Sequence, residues 1–235
     1  MIFGEIRMDS TISKLQIEVD YYAKKIEDIC KTDKEVDSLY LGTQVFLSPL
    51  KPGQMDLFFI GINPGGGSYK YGGSKPHSIN PLNKSVYETE EFALQDDWKY
   101  IFGEKEKINN LELLYNGFKT NCSFIATKDS DALRKLKLTL TNKYKIDLTT
   151  KEAEWIKILI FYVEPRIIIC EGFGAFDSLK KMYSSKEFIM DESENSTTHK
   201  IAYLNKYIPV LGFKRRIDST FASPEDVVDT IKDFL

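Results

Sequence analysis

One segment constrains the fold of this chain more than any other, because an apolar run stops abruptly at a glycine-rich turn. Residues 57–60, Leu-Phe-Phe-Ile, have the composition of a fully buried strand. After Gly61 and Ile62 come Asn63, Pro64 and the glycines at 65–67. Proline fixes a backbone torsion angle, and glycines let backbone N–H groups approach a ligand closely. A buried strand that delivers one polar side chain to such a loop is typical of ligand sites in α/β proteins.

Strand and helix patterns alternate along the rest of the chain. The predicted helices span about residues 10–31, 88–102, 131–144, 149–162, 171–182 and 223–235. The predicted strands span 56–61, 118–124, 166–170, 200–204 and 208–211, and residues 39–50 are expected to be extended. Segments 64–88 and 183–198 are rich in polar and turn residues and predict loops. Continuous apolar strands between helices predict an α/β fold, specifically a three-layer α/β/α sandwich with a central, mostly parallel sheet. We expect one domain over 1–235.

Composition narrows the functional classes. The chain has no apolar run of membrane-spanning length, and its N-terminus lacks a signal-peptide pattern, so we expect a cytoplasmic protein without a membrane partner. Cys30, Cys122 and Cys170 are far apart, which indicates reduced thiols and no metal cluster. The net charge of -3 argues against general coating of nucleic acid. Local basic clusters remain at 128–145, interpreted as a solvated helix face, and at 214–216, for which a function and a solvated surface are both open.

Three segments share one pattern, namely Gly-Ile-Asn-Pro-Gly at 61–65, Asn121 in an otherwise buried segment, and an apolar strand followed by a glycine turn at 167–176. Together they resemble the uracil-DNA glycosylase superfamily over about residues 40–235, with 1–35 as a helical addition. Residues 61–65, Gly-Ile-Asn-Pro-Gly, resemble the first active-site motif of the mismatch-specific and single-strand-selective branches. Asn121, in an otherwise buried segment, is similar to the asparagine that reads the uracil edge in this superfamily. Residues 167–176 resemble the next strand and helix.

The resemblance implies hydrolysis of the N-glycosidic bond to uracil, or to a related deaminated or damaged base, in DNA. It implies a flipped base, no metal and no cofactor, and we expect a monomer. Asn63 would position the attacking water. Lys214, Arg215 or Arg216 would supply the positive charge that a histidine provides in the better-known branches. The substrate-binding residues that we expect are Gly61, Ile62, Pro64, Gly65, Gly66, Tyr69, Tyr71, Asn121, Gly212, Phe213 and Arg216. For Tyr69 and Tyr71, stacking on a flipped base and packing of the loop onto the core are both open.

Several alternatives stay open at this point. Superfamily members carry a second motif, often with histidine, but residues 208–219 contain none, which favours a catalytically inactive nucleic-acid-binding module. A nucleotide-binding α/β protein is the third interpretation, although Gly67 stands where a phosphate-binding loop has lysine. Asn121 is alternatively a structural residue that bonds a neighbouring loop. The roles of His77 and of residues 66–88 are open, and His199 is interpreted as a surface or structural residue.

Overall fold

The computed structural model describes residues 2–64, 77–90, 93–105, 107–193, 196–214 and 223–235. The helices are α1 Ile2–Cys30, α2 Lys34–Leu39, α3 Val86–Thr89, α4 Ala93–Gly103, α5 Leu111–Asn116, α6 Ser130–Tyr144, α7 Leu148–Val163, α8 Phe173–Lys181 and α9 Pro224–Lys232. The strands are β1 Gly42–Gln44, β2 Leu57–Gly61, β3 His77–Ser78, β4 Phe118–Asn121, β5 Ile125–Ala126, β6 Ile167–Cys170, β7 Phe188–Met190, β8 His199–Leu204 and β9 Ile208–Phe213.

The chain forms two compact units, each assembled from three separate segments. The first unit comprises Met1–Phe46, Asn63–Pro81 and Asn121–Tyr162. The second comprises Leu47–Ile62, Leu82–Thr120 and Val163–Leu235. The expectation of a single domain with an N-terminal helical addition stays a prediction.

A six-stranded sheet of order β4-β2-β6-β9-β8-β7 organises the second unit. Strands β2, β6 and β9 run parallel, with Ile60 opposite Cys170 and Cys170 opposite Gly212. Strand β8 is antiparallel to β9, and β7 is antiparallel to β8. Residues of β2 and β6 are all buried, as expected for strands covered on both faces. The predicted α/β class with a mostly parallel sheet is confirmed, and the three-layer architecture stays a prediction.

Aromatic side chains form the core of the second unit beside this sheet. The Phe59 ring lies edge-on to Tyr87 at 5.0 Å and to Trp98 at 5.4 Å between ring centroids. Helix α9 is capped by Ser223, whose side chain accepts from the Asp226 N–H. Its residues Val227, Val228 and Ile231 are buried in the same core, and Leu235 packs against it.

A small sheet of order β3-β1-β5 belongs to the first unit, with β1 parallel to β3 and antiparallel to β5. Helix α1 buries one face through Ile12, Leu15, Val19 and Ile26, as the spacing of these residues predicts. Helix α6 is capped by Asp129, whose carboxylate accepts from the Ala132 N–H at 2.8 Å.

The structure corrects several element assignments. The predicted loop 183–198 contains β7, since Phe188 is buried and the strand pairs with β8. The predicted loop 64–88 contains β3 and α3. The extended segment 39–50 holds only the three residues of β1, and the strand expected over 118–124 ends at Asn121. Helix α5 has no counterpart among the predicted elements.

Candidate active site

Asn63 lies two residues beyond the end of β2, and its side-chain amide has a defined orientation. The Asn63 Nδ2 donates to Thr127 Oγ1 at 2.9 Å and to the carbonyl oxygen of Pro64 at 3.2 Å. The Thr127 hydroxyl in turn donates its single proton to the Asp129 carbonyl oxygen at 2.8 Å. Oγ1 therefore accepts from Asn63, which requires the amide nitrogen to face Thr127. The Asn63 Oδ1 is the opposite end of the amide and accepts no hydrogen bond from any described residue.

Asn121 is the last residue of β4, and its side chain is buried without a full set of partners. Asn121 is 4% exposed. Within the described part of the chain, its Nδ2 atom has no hydrogen-bond acceptor. Leaving a buried donor unpaired costs about 1–3 kcal/mol, and such groups in folded proteins call for an explanation. The interpretation of Asn121 as a residue that bonds a neighbouring loop gains no support from these contacts.

The turn that follows Asn121 is held by a buried carboxylate on α7. Glu152 Oε1 accepts from the Ser123 hydroxyl at 2.6 Å and from the Phe124 N–H at 3.2 Å. Glu152 Oε2 accepts from the Lys137 ammonium. The Phe124 ring is also stacked on Trp155, with centroids 5.6 Å apart. These contacts fix the short segment between Asn121 and the residue that orients Asn63.

In the second unit, several of the predicted site residues lie at the carboxyl ends of parallel strands. Gly61 ends β2, and Gly212 and Phe213 end β9. A Cβ atom at Gly212 would approach Phe176 Cδ2 to 2.6 Å, so packing against that ring requires glycine. Phe213 is buried in the aromatic core, 6.4 Å from Trp98 between ring centroids. Their roles as substrate contacts stay predictions.

Two further predicted residues of the second unit have packing or backbone contacts. Ile62 packs closely against Gly174, and a Cβ atom at position 174 would lie 2.6 Å from Ile62 Cδ1. The Lys214 N–H donates to the Thr198 carbonyl oxygen at 3.0 Å, next to the end of β9. The predicted site residues Gly65, Gly66, Tyr69, Tyr71, Arg215 and Arg216 fall outside the described residues.

Sequence reasoning missed a second buried carboxylate, Glu171, which follows β6. Its Oε1 accepts from the Tyr87 hydroxyl and from Trp98 Nε1 at 3.2 Å, and its Oε2 accepts from the Lys119 ammonium. Burial, and then the negative charge of Glu171, raises the pKa of Tyr87 well above its usual value, so the phenol stays a donor. The available signal was a lysine in one apolar strand and a glutamate at the end of another.

The contacts of His199 and of the basic segment 128–145 fit a structural and a surface role, and the role of His77 stays open. The His199 ring contacts its own turn, with Nδ1 3.0 Å from Ser196 Oγ. The backbone of His77 lies in β3, opposite Thr43. Within the basic segment, lysines pair with acids at Lys135–Glu35, Lys137–Glu152 and Lys143–Asp33.

Two negative findings apply to the described residues alone. They contain no group of three or more His, Cys, Asp or Glu side chains arranged to hold a metal ion. None of their helices is both long enough and apolar enough to cross a membrane.

In comparisons with known proteins, no protein-family model and no curated protein matches this chain.

Proposed function

We propose that this protein is a DNA glycosylase that hydrolyses the N-glycosidic bond of uracil or a related deaminated base. The observation that carries the proposal is the buried amide of Asn121, whose nitrogen lacks an acceptor among the described residues. The O4 atom of uracil is an acceptor of the required kind, and its N3–H matches the amide oxygen. A flipped base would therefore satisfy a group that the described protein atoms leave unpaired.

Asn63 is suited to orient the attacking water. Because its nitrogen is committed to Thr127 and Pro64, its Oδ1 is the atom that can accept a hydrogen bond from water. An amide is not a base, so it positions the water without removing its proton. The barrier must then be lowered mainly by stabilising the departing base as an anion. Lys214, Arg215 or Arg216 would supply the positive charge for this step, in place of the histidine that the superfamily carries there.

A single-turnover cleavage assay tests the proposal. Excess protein is mixed with labelled oligonucleotides that carry uracil in a single strand, opposite adenine or opposite guanine, and alkali reveals the abasic sites. We expect uracil-dependent cleavage that falls about a hundredfold or more in Asn63→Ala and in Asn121→Ala. Asn142→Ala, at an exposed position on α6, is the control and should leave the rate unchanged. The absence of uracil-dependent cleavage by the wild-type protein contradicts the proposal.

A second candidate function is a nucleic-acid-binding module without activity on the same fold. It is favoured by residues 208–219, which contain no histidine where the superfamily carries one. This candidate predicts binding to the same oligonucleotides that weakens steeply with salt, without any abasic product. Binding without cleavage in the assay above selects it over the glycosylase.

A further inference from the structure

We infer that Thr127 is a positioning residue that sets which end of the Asn63 amide is available to a ligand. The kinetic part of this inference rests on the proposed function, whereas the structural part does not. Thr127 is completely buried, and its Oγ1 lies 2.9 Å from Asn63 Nδ2. The side chain has no other hydrogen-bond partner than Asn63 and Asp129 among the described residues.

The direction in which the Thr127 hydroxyl donates its proton determines the orientation of the Asn63 amide. A carbonyl oxygen only accepts, so the 2.8 Å contact with the Asp129 carbonyl consumes that proton. Toward Asn63 the hydroxyl can then only accept. The Pro64 carbonyl, 3.2 Å from the same Nδ2, imposes the same requirement independently. Rotating the amide by half a turn would place Oδ1 against two acceptors, so a single orientation is selected.

The Thr127 hydroxyl is itself held by the start of a long helix. Asp129 is the N-cap of α6, where its carboxylate accepts from the Ala132 N–H and its carbonyl accepts from the Leu133 N–H at 3.1 Å. The carbonyl that fixes Thr127 is therefore part of the helix start. The N-terminal end of α6 therefore fixes the Thr127 hydroxyl, and the hydroxyl in turn fixes the orientation of the Asn63 amide.

The first test is independent of activity. Hydrogen exchange of the Asn63 side-chain NH₂ group is followed by NMR in the wild-type protein, Thr127→Val and Thr127→Ser. Valine keeps the shape of threonine but has no acceptor, whereas serine keeps the oxygen. We expect exchange to accelerate about tenfold or more in Thr127→Val and to stay near the wild-type rate in Thr127→Ser. Equal exchange in Thr127→Val and the wild-type protein overturns the inference, whether or not the protein cleaves DNA.

The second test uses the single-turnover assay with saturating protein. We expect Thr127→Val to lower the cleavage rate about tenfold while DNA affinity stays within about twofold, and Thr127→Ser to keep most of the rate. In the Asn63→Ala background, Thr127→Val should have no further effect, because the residue acts only through Asn63. An additive loss in that background would indicate a general structural role and contradict the inference. Thr230→Val, which removes a buried hydroxyl that donates to the Asp226 carbonyl, is the matched control.

Discussion

Glu152 and Glu171 are both buried carboxylates with a lysine partner, but their donors differ in kind. In the first unit, Glu152 accepts from a backbone N–H and a serine hydroxyl, and its lysine, Lys137, is 21% exposed. In the second unit, the described residues that donate to Glu171 all do so through side chains, and its lysine, Lys119, is 5% exposed. The first ion pair therefore keeps contact with water, and the second has almost none.

The two carboxylates therefore have different structural roles, because one binds a backbone turn and the other connects separate elements. Glu152 fixes the course of the backbone, because the groups it binds belong to the turn after Asn121. Glu171 instead joins α4, β4 and the segment around Tyr87 to the end of β6. Removing two charges from water is expensive, and the cost is recovered only when every partner is present. The Glu171 cluster should therefore be the more sensitive of the two to the loss of its cation.

The largest expected effect is that of Lys119→Met. Among the described residues, the substitution leaves the buried Glu171 carboxylate with two neutral donors, and breaking a buried pair in this way costs about 3–5 kcal/mol of unfolding free energy. Lys137→Met is the matched variant. It also leaves a buried carboxylate, but Lys137 is 21% exposed, so water can take the place of its ammonium, and we expect a smaller cost of about 1–3 kcal/mol. Urea unfolding followed by circular dichroism measures both. Equal losses would mean that burial of the cation does not distinguish the two clusters.

A double substitution sharpens the same comparison. Glu171→Gln removes the negative charge but keeps a carbonyl oxygen that can accept from Tyr87. Combined with Lys119→Met, it should restore part of the lost stability, with a coupling of about 1–3 kcal/mol in a double-mutant cycle. A coupling near zero would show that Lys119 and Glu171 contribute independently, and that the charge pair does not explain the sensitivity of Lys119.

Removal of the Ser123 hydroxyl should have a smaller effect. Ser123→Ala deletes one donor to Glu152 and leaves the Phe124 N–H and Lys137 in place, at an expected cost of about 1–2 kcal/mol. Ser184→Ala deletes a comparable bond to Glu187, 2.8 Å long but exposed, and should change stability by less than about 0.5 kcal/mol. If both variants unfold at the same urea concentration, the turn after Asn121 does not depend on Glu152 through Ser123.

Local patterns in the sequence predicted two kinds of element, those held by local contacts and those made of apolar residues throughout. Strand β2 is buried on both faces, and its run of four apolar residues therefore marks it in the sequence. Helices α6 and α9 begin where a capping side chain bonds the backbone within three residues. The polar segment that contains β7 gave no such signal, because that strand depends on pairing with β8 and buries one phenylalanine.

In the candidate site, too, local features were predictable from the sequence, and contacts between residues far apart in the chain were not. The sequence singled out Asn63 and Asn121 because each is a polar residue next to an apolar strand. It could not identify Thr127 or Glu152 as partners, since those hydrogen bonds join residues 64 and 29 positions apart. The orientation of one hydroxyl between an amide and a carbonyl is set by the folded backbone, and no local pattern encodes it.

The smallest expected effect concerns a third carboxylate, Asp33, whose cation is the most exposed of the three. Hydrogen bonds from Lys143, then from Tyr144 and the N–H groups of Val36 and Glu35, lower the pKa of Asp33 well below its usual range. A lowered folded-state pKa stabilises the protein above the unfolded value, near 3.9, and that contribution is lost as the pH falls below it. Asp33→Asn keeps a good helix cap but cannot titrate. Urea unfolding between pH 5 and pH 2 should therefore show wild-type stability falling toward that of Asp33→Asn, and a constant difference across this range would contradict the assignment.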